Sequence, residues 1–172
     1  FSFYSVSLFI LLAGVTSYIS FENSNEVNFS IGYILKKIKV IFVPYIVATI
    51  IYSIYREGRF DFQTILNHLI YFNANGPLYY VSLYIQLLCI SPILYQIIKA
   101  LNNSNFALLK NILFLIIIII FSKILTKYTN ILDIYGGGGK LLGGTFLNLY
   151  YIGMLITSKK IHVTRKKEFI KS

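Results

Sequence analysis

Acidic side chains are scarce in this chain: six Asp and Glu stand against sixteen Lys and Arg in 172 residues, a formal charge of +10. There is one cysteine, Cys89, so no disulfide forms within the chain and no redox compartment can be read from it. Two histidines, His68 and His162, fall in separate loops, and with a single Cys no metal site is expected. Charged residues of both signs make up only 13%, too few for an ordinary soluble surface. No internal repeat and no linker rich in Pro or Ser divides the chain, so residues 1–172 read as part of one domain.

What fills the sequence is apolar. Hydrophobic residues make up 56% and the mean hydropathy is +0.69, which marks an integral membrane protein whose first partner is the lipid bilayer. The basic residues sit in short clusters between apolar runs and cover no face with interleaved aromatics, so nucleic acid is not expected as a partner. The chain opens on Phe1 directly in an apolar run, and a fragment of a longer protein is expected. A signal peptide would need a basic start and a shorter apolar core.

The organising stretch starts at Gly76-Pro77-Leu78 and carries no charge as far as Ile98. Pro is tolerated in the first turn of a helix, where its missing N–H had no partner anyway. Such a run spans roughly 30 Å of hydrocarbon. Together with runs near 1–21, 40–55, 107–125 and 143–158 it predicts an all-α, polytopic transmembrane helix bundle of about five spans. Pro44 is expected to bend the second of these. Between Arg56 and Asn75, Phe62, Ile65, Leu66, Leu69, Ile70 and Phe72 recur at near-helical spacing and predict an amphipathic helix at the interface. Residues 22–30 read as a polar turn in which Ser30 can cap the following helix.

Orientation follows from Lys and Arg in alternate loops. Eleven of the sixteen, from Lys36, Lys37 and Lys39 through Lys99 and Lys110 to the basic tail, collect on one side, which is therefore cytoplasmic. Arg56, Arg59, Lys123, Lys127 and Lys140 collect on the other. Gly136–Gly139 followed by Lys140 is not a phosphate loop, because position 134 is Ile and Leu141 follows the Lys. It reads as a flexible or re-entrant approach to the membrane, with Asp133 nearby.

In the organising helix Ser82 and Gln86 share a face, with Tyr79 one turn earlier. A polar stripe in lipid points into the protein, since a buried amide or hydroxyl without a partner costs a few kcal/mol. It either glues neighbouring spans together or lines a cavity. His68 reads as structural or solvated.

Three segments together resemble the acyltransferase 3 family of multi-spanning membrane acyltransferases. Val6–Gly14 is similar to that family's second helix, an apolar Phe-rich run that ends in Ser-Gly. Lys36-Lys37-Ile38-Lys39 running into Val43-Pro44-Tyr45 is similar to its basic stretch leading into Pro-Tyr. Gly76-Pro77-Leu78-Tyr79-Tyr80-Val81 through Ser91-Pro92-Ile93-Leu94 is similar to its leucine–aromatic–aromatic helix. Residues 144–147 and 151–154 add a weaker match. The resemblance implies an inner-membrane enzyme of about ten helices that lacks its first and last helices here. It implies transfer of an acyl group, often acetyl, from cytoplasmic acyl-CoA to a hydroxyl of a cell-surface glycan or lipid-linked sugar, with no bound cofactor.

On that resemblance the catalytic His lies upstream of Phe1, and the fragment by itself is expected to be inactive. Where the family often carries two Arg three apart, this chain has Lys37 and Val40; Lys is a point charge without the bidentate fork of Arg. Lys36, Lys37 and Lys39 can hold the phosphates of acyl-CoA or serve only as a positive-inside anchor. Tyr79, Tyr80, Ser82 and Gln86 can line an acceptor or acyl tunnel, with the tyrosines stacking on a sugar, or be belt and packing residues. A non-enzymatic alternative is a polysaccharide flippase or transport subunit; the paired halves of a transporter are not visible in the sequence.

Overall fold

The structure, a computed structural model, describes residues 2–23, 31–72, 74, 78–104, 106–128 and 146–171. The described residues are helical apart from short turns: α1 (Ser2–Asn23), α2 (Ile31–Glu57), α3 (Phe62–Tyr71), α4 (Tyr79–Asn102), α5 (Ala107–Tyr128) and α6 (Phe146–Lys171). The Ser30 cap, Gly76-Pro77 and the glycine-rich stretch with Asp133 and Lys140 lie outside the described residues, as does the side chain of His162. Four helical segments are long and apolar enough to cross a membrane: Tyr4–Asn23, Ile34–Glu57, Tyr79–Asn102 and Ala107–Ile124. The fifth expected span corresponds to the start of α6. Its apolar run from Phe146 to Thr157 covers only about 18 Å before Lys159.

The closest packing is between α1 and α6, and glycine permits it. A Cβ on Gly14 would run into the carbonyl oxygen of Tyr150, and a Cβ on Gly153 would run into that of Leu11. Each glycine thus lies against the other helix's backbone three residues before the partner glycine. Lipid tails compete with Leu for apolar contact, so close backbone approach is what draws helices together in a bilayer.

Around this contact the core is unusually rich in tyrosine. Tyr95, Tyr150 and Tyr151 are the largest fully buried side chains, and each hydroxyl reaches a neighbouring helix, α1 from Tyr95 and Tyr150 and α5 from Tyr151. Tyr150 donates to Ser17 Oγ at 2.7 Å, Tyr151 to Asn111 Oδ1 at 3.0 Å and Tyr95 to Glu22 Oε2 at 2.9 Å. Asn111 passes its amide on to Asn102 Oδ1 at 3.0 Å, and Asn102 to Ser158 Oγ at 3.3 Å. This network ties the end of α4 and the start of α5 to α6, with every one of these polar groups paired.

Pro92 lies inside α4 and leaves the Leu88 carbonyl without its helical donor. The Ser91 hydroxyl donates to that carbonyl at 2.7 Å and repairs the ladder locally. The outer face of α5, from Leu108 and Leu109 to Phe121 and Ile124, is exposed and apolar, as a lipid-facing surface must be.

Candidate functional site

Two features stand where α2 meets its neighbours: an apolar groove beside a basic cluster, and a polar seam under α3.

The groove, about 340 Å³, is lined by Phe9 of α1, by Val40, Ile41, Pro44, Tyr45 and Ala48 of α2, and by Leu78, Tyr80 and Val81 at the start of α4. Phe9 packs on Tyr80 and Tyr84 with ring centroids 5.7 and 5.5 Å away, while Phe21 packs on Tyr95 at 5.3 Å. Helices α1 and α4 therefore run parallel, and Val40 lines the same groove as Phe9. Lys36, Lys37 and Lys39 fall within about one turn of Val40. Lys36 and Lys39 are exposed and Lys37 is half-buried. Helix α2 itself begins at Ile31, nine residues before the apolar run, because Lys is a good helix former and charge limits only the membrane-compatible part.

Of the four residues predicted for an acceptor or acyl tunnel, the groove contains Tyr80. Ser82 is buried, and Gln86 Nε2 donates to Ser82 Oγ at 3.3 Å along the same helix. Tyr79 is half-buried and does not line the groove.

The seam is built by α3 lying against α2. Asp61 caps α3, accepting from the Gln63 amide at 3.2 Å and from the Thr64 hydroxyl at 2.6 Å. The Thr64 hydroxyl, followed by the Gln63 amide and the positive charge of Arg59, holds the Asp61 carboxyl below its ordinary value. At the other end Phe72 turns left-handed, and the last carbonyls of α3 lack helical donors. The Tyr45 hydroxyl takes that role, set 2.9 Å from the Leu69 carbonyl and 3.2 Å from that of His68. Its ring stacks on Phe72 at 4.7 Å. Thr49 and Ser53 continue the Tyr45 face of α2 at intervals of one turn. Thr49 Oγ1 is fully buried, turned toward the Tyr45 phenol but outside bonding geometry.

Ser53 meets His68, whose Nδ1 lies 2.8 Å from Ser53 Oγ. Sequence reasoning left His68 as a structural or solvated side chain. It is 9% exposed and Ser53 is 1% exposed. The signal that could have found the pair is the spacing Tyr45, Thr49, Ser53, a polar stripe through an otherwise apolar helix.

A family model described as an acyltransferase domain matches residues 1–172, the whole chain. No curated protein and no solved structure matches.

Proposed function

Since the chain belongs to the acyltransferase 3 family, we propose that this multi-pass membrane protein transfers an acyl group, acetyl in the simplest case, from acyl-CoA to a hydroxyl of a cell-surface glycan or lipid-linked sugar. The reading is supported above all by the position of Lys36, Lys37 and Lys39. They fall within about one turn of Val40, a wall residue of the apolar groove. Three cations at the edge of the groove match the phosphates of coenzyme A in charge.

In this reading the basic cluster faces the cytoplasm of the inner membrane and receives the donor's phosphates. The apolar groove, with Tyr80 at its wall, accommodates the acyl-bearing arm. Ser82 and Gln86 shape α4 behind it. Acyl transfer requires a base for the acceptor hydroxyl and donors for the tetrahedral oxyanion.

The test is the dependence of rate on acyl-CoA concentration in native membranes. Replacing Lys36, Lys37 and Lys39 by Gln removes charge-assisted bonds of about 1.5–3 kcal/mol each, and should raise KM for acyl-CoA at least about tenfold with KM for the acceptor unchanged. An unaltered KM for acyl-CoA would remove the cluster from the donor site.

A further inference from the structure

Pro44 and Pro92 both lie inside membrane-spanning helices, and the chain treats the two differently. Proline has no N–H, so the carbonyl four residues before it loses its helical donor. In α4 the residue just before Pro92 repairs this, since the Ser91 hydroxyl donates to the Leu88 carbonyl at 2.7 Å. In α2 the residue just before Pro44 is Val43, which has no proton to give. The carbonyl left without a helical donor there is that of Val40, and no described side chain bonds to it. In apolar surroundings such a group is costly until a donor arrives.

Val40 and Pro44 both line the groove. A helical carbonyl points along the axis toward the residue four further on, so the Val40 oxygen lies between two wall positions. It is an acceptor set in an apolar wall. The Tyr80 hydroxyl is a second polar group of that wall, and it makes no hydrogen bond among the described residues. The Tyr45 hydroxyl, by contrast, is committed to the Leu69 and His68 carbonyls. One acceptor and one hydroxyl donor in an apolar groove match a secondary amide carried on a chain, whose N–H needs the first and whose carbonyl needs the second.

We propose that the Val40 carbonyl, freed by Pro44, binds an amide N–H of the groove's ligand, and that Tyr80 donates to a carbonyl of the same chain. The proposal rests on the acyl-CoA reading and deepens it: the pantetheine arm between the phosphates and the acyl group carries two secondary amides. Cluster and groove then take successive parts of one molecule, phosphate at Lys36, Lys37 and Lys39 and amide at Val40. At about 340 Å³ the groove is roughly twice the apolar cavity of about 150 Å³ that admits a benzene ring. It has room for an arm as well as an acetyl group.

The experiment measures binding of labelled acetyl-CoA to the protein in its native membrane. Val43→Ser keeps Pro44 and places a hydroxyl where α4 has Ser91, so it should occupy the Val40 carbonyl. Affinity should fall about two- to tenfold, the worth of one hydrogen bond. Pro44→Ala restores the missing N–H and should weaken binding by a similar factor while raising the thermal midpoint, because proline inside a helix is destabilising. A merely structural role would move the two readouts together. Tyr80→Phe should also weaken binding, and undiminished affinity would remove its hydroxyl from the site.

The ligand supplies the matching change. Acetyl-CoA analogues are made in which one pantetheine amide N–H, each in turn, is replaced by an ester oxygen. One of the two should bind the unaltered protein more weakly by the same factor, and the Val43→Ser protein should not distinguish that analogue from acetyl-CoA. Unchanged affinity in Val43→Ser and Pro44→Ala, or full affinity of the unaltered protein for both analogues, overturns the carbonyl and leaves the donor reading standing. No binding of acetyl-CoA by the unaltered, folded protein overturns the donor reading and the proposal together.

Discussion

Gly14 and Gly153 lie back to back across α1 and α6, each filling the space that the other's helix leaves above a backbone carbonyl. The relation is reciprocal, so the two helices can meet there only if both positions lack a Cβ. Overpacking costs typically about 1–3 kcal/mol, and here the obstructing atoms are backbone. Gly14→Ala and Gly153→Ala should each lower the midpoint of thermal unfolding in detergent by several degrees, about 4 °C or more. Midpoints unchanged in both variants would show that the helices do not pack this closely.

Tyr45→Phe keeps the stacking on Phe72 and removes only the hydroxyl that lies against the Leu69 and His68 carbonyls. Leaving such groups without a partner costs about 1–3 kcal/mol. Amide exchange measured across α3 should accelerate, while α1 and α6 keep their protection. Uniform acceleration would mean that the hydroxyl supports the whole bundle instead of the end of α3.

Asn111→Leu leaves the Tyr151 hydroxyl and the Asn102 carbonyl oxygen without the amide they share. The expected loss is about 1–3 kcal/mol for each orphaned buried group. Adding Tyr151→Phe to Asn111→Leu should cost less than the sum of the two single changes, because the second removes a group the first had stranded. Additive losses in a double-mutant cycle would deny the bond.

The Asp61 cap carries a pH dependence of definite sign. Its carboxyl is held below the ordinary range, chiefly by the Thr64 hydroxyl, so the folded state favours the ionised form. That contribution is complete above the unfolded value, about 4, and is lost as pH falls through the lower folded value. Exchange protection of the first turn of α3 should therefore decline in acid, and Asp61→Asn should flatten the decline. Protection independent of pH in the unaltered protein would contradict the cap.

The spans were legible because hydrocarbon imposes one rule over long runs: α1 and α4 follow directly from uncharged stretches of about twenty residues, and α5 from a twelve-residue apolar run between Lys110 and Lys123. The start of α2 was not, since a hydropathy reading ends where Lys39 begins although the helix continues back to Ile31. Tyrosines that composition would assign to an interfacial belt turn out to be core cross-links, because Tyr150, Tyr151 and Tyr95 each find a polar partner on another helix. The same holds at the candidate site. Lys36, Lys37, Lys39 and Tyr80 were visible as residue types in a run, but their relation to Phe9 is a matter of helix register. Ser53 and His68 are fifteen residues apart and meet only because α3 folds back on α2.

The most direct measurement is transfer itself: labelled acetyl-CoA supplied to native membrane vesicles with the glycan acceptor, compared with vesicles from cells lacking the gene. The account predicts label on a glycan hydroxyl, released by mild base as acetate, at a rate that falls when Lys36, Lys37 and Lys39 are replaced. No label above the gene-deleted vesicles, with intact protein and both substrates present, would contradict it.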